Sequence, residues 1–147
     1  MPILARNRRA SFDYEILERL EAGLKLSGSE VKSIRGGHIS LAGAFVTFRG
    51  NVPFLTNAHI PAYPFAQYPA GYDPTQSREL LLKKKEIAYL REKLQEKGLT
   101  ALPLSVYTKQ RYLKLEIGLG RGKKAFDKRA TIKKRENERE IQRELNR

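Results

Sequence analysis

Residues 102–119 read LPLSVYTKQRYLKLEIGL, and apolar and polar residues alternate along both halves of this stretch. Successive side chains of a β-strand point to opposite faces, so Leu113, Leu115 and Ile117 share one face. The polar residues 109–111 lie between the halves and predict a turn. The pattern therefore predicts an antiparallel hairpin with one apolar face.

Strand patterns also precede this hairpin. Residues 14–26 alternate with period 2 and predict a long strand, in which an irregularity near the start indicates a bulge or a frayed entry. Residues 44–48 and 52–55 flank Gly50-Asn51, a dipeptide compatible with the positive backbone angles of a two-residue turn. We expect a second hairpin there.

Two helices are predicted between the strands. Residues 27–30 read SGSE and match a capping box, in which the Ser hydroxyl and the Glu carboxylate bond each other's backbone amides. The short helix that follows ends at Gly36-Gly37. Apolar residues at helical spacing within residues 87–94 predict a second helix of about a dozen residues, with Gly98 as its stop.

These elements define the expected architecture. Strands in runs, separated by two unequal helices, do not form a repeated βαβ unit. Five or more strands in about 110 residues favour a small closed or half-closed antiparallel barrel, so the predicted class is mainly β with helices. Residues 61–77 contain four of the thirteen aromatic residues and four prolines, a composition typical of a long loop ordered by its rings.

The composition changes at residues 120–122. Residues 121–147 contain 11 Lys and Arg against 5 Asp and Glu, with few large apolar residues. Such a segment cannot bury enough surface to offset its ordering entropy, about 1–2 kcal/mol per residue for the backbone. We therefore divide the chain into a barrel over residues 1–120 and a basic tail over residues 121–147, disordered alone and able to become helical on a polyanion.

The whole chain is strongly basic. Its 147 residues include 29 Lys and Arg against 16 Asp and Glu, a net charge of +13. This charge favours a polyanionic partner, and we place nucleic acid ahead of a membrane surface. The longest stretch without charged side chains, residues 50–72, contains four prolines, so we expect a loop there rather than a membrane helix.

Cysteine is absent from the chain, and only two histidines are present. A disulfide framework, a thiolate zinc site, an iron–sulfur cluster and a Cys nucleophile are therefore excluded, and two imidazoles are too few for a metal site of their own. We expect no metal and no cofactor. Residues 1–10 contain no recognisable export signal, so we expect a cytoplasmic protein.

Candidates for catalysis are few. His38 and His59 could supply the acid and the base of RNA cleavage, although ordinary loop or edge histidines are the more frequent case. Residues 118–122 are Gly-rich but lack the glycine spacing and the Lys-Ser/Thr pair of a phosphate-binding P-loop. We expect a protein without a catalytic site.

Basic clusters recur along the chain, at residues 7–9, 83–85, 123–124 and 128–129. Each alone is more often a solvated surface, but together with the basic tail they favour binding to phosphates. The chain lacks the aromatic signature of an RNA-recognition motif, which argues against stacking of single-stranded bases. Recognition of folded RNA by shape and backbone is therefore favoured.

Several short motifs resemble one known family. They are Asn7-Arg8-Arg9-Ala10, Glu21-Ala22-Gly23, residues 28–35 (GSEVKSIR), Asp73-Pro74, Leu80-Leu81-Leu82, residues 118–124 (GLGRGKK) and Asp127-Lys128-Arg129. With these motifs in this order, the chain resembles the SsrA-binding protein family of bacteria, also called small protein B. The resemblance implies an oligonucleotide-binding (OB) type barrel with two or three flanking helices and a basic carboxyl-terminal tail. It also implies binding to the tRNA-like domain of transfer-messenger RNA, entry into stalled ribosomes, and peptide tagging by trans-translation.

The resemblance further implies two working surfaces. The RNA-binding residues of the barrel are Arg8, Arg9, Glu30, Lys32, Arg35, Leu81, Lys83 and Lys84. The tail acts as a helix in the small-subunit decoding region and the empty messenger channel of the ribosome. Its residues are Arg121, Gly122, Lys123, Lys124, Phe126, Asp127, Lys128 and Arg129. We expect a monomer whose partners are transfer-messenger RNA and the ribosome.

Alternatives stay open for several of these assignments. Glu30 could serve only as a helix cap, Leu81 could be an ordinary core residue, and the tail could be a solubilising appendage. Lys83 and Phe126 depart from the family, which usually has His or Asn at the first position and Tyr or His at the second. The alternative functions are a general ribosome-associated or tRNA-binding barrel, and a small ribonuclease.

Overall fold

The computed structural model describes residues 2–123 and 125–145. Within these residues the chain forms seven strands and four helices. In chain order they are β1 (Ile3–Arg6), α1 (Arg8–Asp13), β2 (Tyr14–Leu24), α2 (Gly28–Arg35), β3 (Phe45–Arg49), β4 (Val52–Thr56), β5 (Arg78–Leu81), α3 (Lys84–Lys93), β6 (Leu99–Lys109), β7 (Tyr112–Gly122) and α4 (Ala125–Leu145). The predicted class, mainly β with helices, is confirmed.

The seven strands form one antiparallel sheet in the order β1-β6-β7-β2-β5-β4-β3. β6 and β7 form the predicted hairpin, with Lys109 opposite Tyr112 at the turn and Leu99 opposite Arg121 at the far end. The sheet curls so that β3 contacts β6, but within residues 2–123 no ladder joins β3 to β1. The barrel is therefore half-closed.

The core lies inside the curled sheet. On β7, Leu115 and Ile117 are fully buried, as the alternation of the sequence predicts. They belong to one apolar cluster with Ile34 of α2, Leu55 of β4 and Leu90 of α3. Complete burial of such a side chain contributes about 1.5–3 kcal/mol, so this shared cluster holds the helices on the sheet.

The first half of β6 departs from the predicted alternation. A bulge between Pro103 and Ser105 shifts the register against β7, and proline fits at such a break because it has no N–H to donate. The side chain of Leu104 covers Gly118, where an added Cβ would lie 2.8 Å from it. The carbonyls of Pro103 and Leu104 accept hydrogen bonds from Nδ2 and the backbone N of Asn7, at 2.9 and 2.8 Å. The bulge thus fixes the start of α1.

The second long strand, β2, pairs with β7 on one side and β5 on the other. Its register against β7 shifts between Ile16 and Glu18, which confirms the bulge predicted near its start. Three elements were not predicted, namely β1, α1 and β5. β1 pairs with the distant β6, and the other two have six and four residues, too few for a periodic pattern.

The two hairpin turns differ in backbone conformation. In the β3–β4 turn, Gly50 has a φ of +62°, which glycine adopts without steric cost. In the β6–β7 turn, Gln110 and Arg111 have φ values of +50° and +74°. Positive φ at both central residues is the pattern of a type I′ turn, here formed without glycine. The guanidinium of Arg35 on α2 donates to the carbonyl of Arg111 and supports this turn.

The carboxyl-terminal part begins later than the predicted boundary. β7 continues to Gly122, which pairs with Tyr14 of β2, so the last strand extends two residues past position 120. Helix α4 follows and contacts α1, where Nη2 of Arg135 donates to Oγ of Ser11 at 3.1 Å. Disorder of this segment in the free protein stays a prediction. Among the described residues, no helix has the length and apolarity needed to cross a membrane.

Candidate nucleic-acid interface

A buried ion pair lies between α2 and β5. Nε of Arg78 donates to Oε2 of Glu30 at 2.8 Å, and the two residues are only 3% and 4% exposed. The amide of Ser27 donates to Oε1 of Glu30 at 3.1 Å, and the amide of Glu30 donates to Oγ of Ser27 at 3.2 Å. These two bonds confirm the capping box. Glu30 therefore both starts α2 and holds Arg78.

Arg78 in turn holds the long loop that precedes β5. Its Nη1 donates to the carbonyl of Ala58 at 2.8 Å, and its Nη2 donates to the carbonyl of Pro74 at 2.9 Å. Nη2 also donates to the hydroxyl of Tyr72 at 3.1 Å, and that hydroxyl donates to the carbonyl of Ile60 at 2.7 Å. One buried guanidinium thus joins both ends of the loop.

The electrostatics of this pair keep it charged. Burial raises the pKa of Glu30, but the hydrogen bond from the Ser27 amide and the hydrogen bond and positive charge of Arg78 outweigh it. The net pKa of Glu30 lies below its ordinary value. Burial, and then the negative charge of Glu30, raise the pKa of the neighbouring Tyr72. An ionised carboxylate therefore faces a neutral phenol and a guanidinium.

The burial of Glu30 changes how its predicted role must be understood. A side chain enclosed in this way has its oxygens occupied by Ser27, Arg78 and Tyr72, and does not present them to a ligand. Any effect of Glu30 on RNA passes through the loop that Arg78 holds. No pattern in the sequence points to Arg78, because an arginine at the start of a short strand is usually exposed.

Lys32 and Arg35, on the same helix as Glu30, are both exposed. Nζ of Lys32 lies 5.5 Å from the ring centroid of Tyr63, within the distance of a cation–π contact. Arg35 reaches the β6–β7 turn by its bond to Arg111. Helix α2 therefore presents two cations, one beside the loop and one beside the turn.

Leu81 is 54% exposed at the end of β5, so the alternative that it is a core residue is wrong. Its neighbour Leu80 is 2% exposed, because adjacent strand residues point to opposite faces. An added Cβ at Gly23 of β2 would lie 3.2 Å from Cβ of Leu81, so the glycine leaves room for this side chain. Leu81 lines an open cleft of about 630 Å³ together with Lys83 and Lys114.

Lys83 and Lys84 follow this cleft at the start of α3, and both are exposed. The backbone amide of Lys83 donates to Oε1 of Glu86 at 3.0 Å, which leaves the Lys83 ammonium outside the cap. Lys83 and Lys114 supply phosphate-binding charge beside this exposed leucine, and Glu21, Glu79 and Glu86 also line the cleft. The structure thus brings Leu81 and Lys83 together, as the resemblance implied for one surface.

A second basic surface lies where α4 meets the barrel. Its cleft has a volume of about 580 Å³, and Glu116 pairs there with Arg19 at 2.8 Å. The arginines that line it are Arg6, Arg8, Arg19, Arg135 and Arg139. Like charges that share a cleft repel one another, and an anion between them relieves the repulsion. Arg8 therefore belongs to a different surface from Leu81 and Lys83.

Arg9 takes part in local contacts of α1. Its Nε lies 3.2 Å from Oδ2 of Asp13, and its guanidinium lies 4.7 Å from the ring centroid of Phe12. The side chain of Arg9 is exposed, and an exposed pair of this kind is worth under about 1 kcal/mol. A phosphate can compete for this guanidinium at little cost.

The predicted tail residues fall into two groups. Arg121 and Gly122 belong to β7. Lys123 follows and is bonded to α1, because its backbone N donates to the Asp13 carbonyl and its Nζ donates to the Ser11 carbonyl, each at 2.8 Å. Arg129 is exposed on α4. Lys124 and the side chains of Phe126, Asp127 and Lys128 lie outside the described residues.

His38 follows α2, and His59 follows β4. The side chain of His38 lies against Gly36, and the backbone of His59 pairs with Ser40. Both histidines are exposed. Within residues 2–123 and 125–145, no group of three acidic or histidine side chains could hold a metal ion.

Comparison with known proteins adds to this geometry. The family model of the SmpB protein matches residues 4–147. The SsrA-binding protein of Mesoplasma florum is 50% identical over 137 residues, which cover 93% of this chain and 92% of the relative. The SsrA-binding protein of Leuconostoc mesenteroides is 47% identical over 140 residues, which cover 95% of this chain and 90% of the relative.

A solved structure agrees with these relatives. It is described as "tmRNA-SmpB: a journey to the center of the bacterial ribosome", and one of its chains matches this one with a TM-score of 0.69 and 46% identity. The match covers 85% of this chain and 87% of that chain. Because the family model spans almost all of the sequence and relatives of similar length are about half identical, the chain belongs to the SmpB family of SsrA-binding proteins.

Proposed function

We propose that this protein binds the tRNA-like domain of transfer-messenger RNA and delivers it to stalled ribosomes for trans-translation and peptide tagging. It acts in the cytoplasm as a binding protein without catalysis. The observation that carries the proposal is the identity of 50% with an SsrA-binding protein over 93% of the chain. The similar solved structure, named for tmRNA, SmpB and the bacterial ribosome, supports both partners.

The barrel binds the RNA through one apolar contact and through cations on more than one of its surfaces. Leu81 packs against the RNA, and the neighbouring lysines neutralise phosphates. The exposed side chains that take part are Arg8, Arg9, Lys32, Arg35, Leu81, Lys83 and Lys84. Glu30 contributes by fixing the loop through Arg78. A net charge of +13 supports this division of roles, since phosphate contacts supply affinity and position while shape supplies specificity.

The tail acts on the ribosome rather than on the barrel's RNA. Residues 121–123 continue the barrel to its edge, and helix α4, which follows, carries seven basic side chains. Such a helix can follow ribosomal RNA in the decoding region and the empty messenger channel. Its charge pattern supports this assignment, because Lys and Arg along a helix neutralise a phosphate-lined path.

A gel-shift assay with two RNAs tests the proposal. We expect the tRNA-like domain of transfer-messenger RNA to bind much more tightly than bulk tRNA. Contacts to 6–10 phosphates would lower the affinity roughly 10³–10⁵-fold between 50 and 200 mM salt. Equal affinity for both RNAs would instead favour a general tRNA-binding barrel. RNA cleavage that is lost in the His38→Ala/His59→Ala double variant would favour a ribonuclease.

A further inference from the structure

The loop over residues 61–72, here called the aromatic loop, carries an unusually exposed ring. Phe65 is 85% exposed, more than any other large apolar residue among the described side chains. We propose that Phe65 is a stacking platform for one unpaired nucleotide of the bound RNA, and that Lys32, which lies against the neighbouring Tyr63, binds a phosphate. This inference rests on the proposed function. It adds a contact with one base to a surface that otherwise recognises the shape and the phosphate backbone of the RNA.

A series of contacts fixes Phe65 to the buried ion pair. Tyr72, whose hydroxyl is bound by Arg78, has its ring centroid 4.9 Å from that of Tyr68. The hydroxyl of Tyr68 accepts a hydrogen bond from the amide of Tyr63 at 2.9 Å. The ring of Tyr63 meets that of Phe65 at 5.5 Å and an angle of 68°. The exposed ring is therefore held by the fold.

An exposed apolar ring that the fold holds in place is suited to binding a ligand. Burial of a phenylalanine contributes about 1.5–3 kcal/mol, and Phe65 forgoes most of this in the described fold. A ring already held in place loses little conformational freedom when a second ring stacks on it, which lowers the cost of binding. The loop has the properties of a preformed contact.

The charge around the loop selects the partner. Residues 50–72 contain no Asp, Glu, Lys or Arg, so no carboxylate of the loop repels a phosphate. Of the adjacent acids, Glu30 is paired with the buried Arg78, whereas Asp73, just past the loop, stays ionised and accepts two hydrogen bonds from Thr75. The cation of Lys32 lies at the edge of the aromatic loop. A flat ring attached to a phosphate, a nucleotide, complements this surface better than an uncharged protein segment.

Phe65→Ala is the direct test, with the tRNA-like domain of transfer-messenger RNA as the probe. We expect the affinity to fall about 5- to 150-fold, the range for loss of one base–aromatic stack. Phe65→Tyr retains the ring and should bind like the wild type. Phe45→Ala is the matched control, because Phe45 is also exposed but lines a cleft beside α1.

Two further measurements distinguish a base stacked on Phe65 from a purely electrostatic contact. Single substitution of each unpaired purine by 2-aminopurine should give one position whose fluorescence is quenched by the wild type and not by Phe65→Ala. The salt dependence of binding should be unchanged in Phe65→Ala, whereas Lys32→Gln should reduce its slope by about 1.

The results that would contradict the stacking platform differ from those that would contradict the proposed function. Three results would each overturn the stacking platform: an unchanged affinity of Phe65→Ala for the RNA, equal losses of affinity in Phe65→Ala and Phe45→Ala, or fluorescence quenching that persists in Phe65→Ala. An unchanged affinity of Phe65→Ala would instead assign the aromatic loop to a protein partner. If the wild type itself does not prefer this RNA to bulk tRNA, the proposed function fails instead.

Discussion

Replacement of Glu30 by Gln removes one charge of a buried pair and leaves Arg78 without its counter-charge. Breaking such a pair from one side costs about 3–5 kcal/mol. We expect Glu30→Gln to lower the free energy of unfolding by about this amount in a urea titration. Glu86→Gln is the matched control, since Glu86 bonds the Lys83 amide at the start of α3 without a buried arginine, and it should cost under about 1 kcal/mol. Equal losses would contradict the role assigned to the pair.

The same variant gives a prediction on pH. The pKa of Glu30 in the fold lies below its ordinary value of 4.5, so its ionised form stabilises the fold above that value. This contribution is lost as the pH falls from about 4.5 through the lowered pKa. Wild-type stability should therefore fall more steeply in this window than that of Glu30→Gln, as urea titrations at several pH values can measure. Parallel pH profiles of the two proteins would exclude a lowered pKa.

Leu80 and Leu81 allow stability and binding to be separated with one kind of substitution. Leu81→Ala removes a 54% exposed side chain, so unfolding should change by no more than about 0.5 kcal/mol while affinity for the tRNA-like domain falls. Leu80→Ala empties a buried position and should cost about 2–5 kcal/mol. Thermal unfolding and gel shifts measure both effects. A Leu81→Ala protein that is destabilised like Leu80→Ala would contradict the exposed placement.

These residues also mark how far the sequence predicts the site. Three consecutive leucines have no alternation, so nothing in residues 80–82 distinguishes the exposed side chain from the buried one. The capping role of Glu30 was predictable because its partner Ser27 is three residues away. Its bond to Arg78 was not, because the two residues are 48 positions apart and only the folded sheet brings them together.

At the level of elements, the β6–β7 turn contains conformational strain. Arg111 has a φ of +74°, and a non-glycine residue in this region is disfavoured by about 1–2 kcal/mol. Arg111→Gly should therefore raise the melting temperature by a few degrees, since about 1 kcal/mol corresponds to roughly 3 °C for a domain of this size. The carbonyl that accepts from Arg35 is retained in the variant.

Arg111→Lys is the control for this substitution. It keeps a cation and a Cβ, so it should keep the strain and melt at the wild-type temperature. A gain in Arg111→Lys equal to that in Arg111→Gly would assign the effect to the guanidinium rather than to the backbone. The turn itself was predictable from its polar residues, but its conformation was not, because neither Gln nor Arg is typical of positive φ.

The strands were predictable where alternation is long and the partner is near in sequence. β7 and β2 fulfil the first condition, and the β3–β4 hairpin fulfils the second. β1 fulfils neither, since it has only four residues and pairs with the distant residues 105–107 of β6. The break in β6 follows from Pro103, whose missing N–H disrupts the ladder and frees a carbonyl for Asn7. Local patterns thus predict most of the sheet, and long-range pairing completes it.

At the scale of the whole molecule, the barrel and the tail should be separable. A protein that ends at Lys123 keeps β7 complete, including the pairs of Gly122 with Tyr14 and Arg121 with Glu15. It loses the hydrogen bond from Arg135 to Ser11, an exposed contact worth under about 1.5 kcal/mol. We expect its melting temperature to stay close to that of the full chain. A cut after position 120 would instead shorten β7.

The same truncation should separate RNA binding from action on the ribosome. The removed residues 124–147 carry nine basic and five acidic side chains, so the net charge falls from +13 to +9 and RNA binding weakens but persists. Tagging of stalled chains in cell-free translation should be lost, whereas full-length Arg135→Gln, which loses the contact with Ser11 and one cation of the cleft but keeps the tail, should retain it. In the free full-length protein, amide signals of residues 124–147 should be sharp and poorly dispersed, with protection gained on the ribosome. A truncated protein that still supports tagging would reduce the tail to an RNA-attracting appendage, because a segment essential in the decoding region cannot be removed without loss of function.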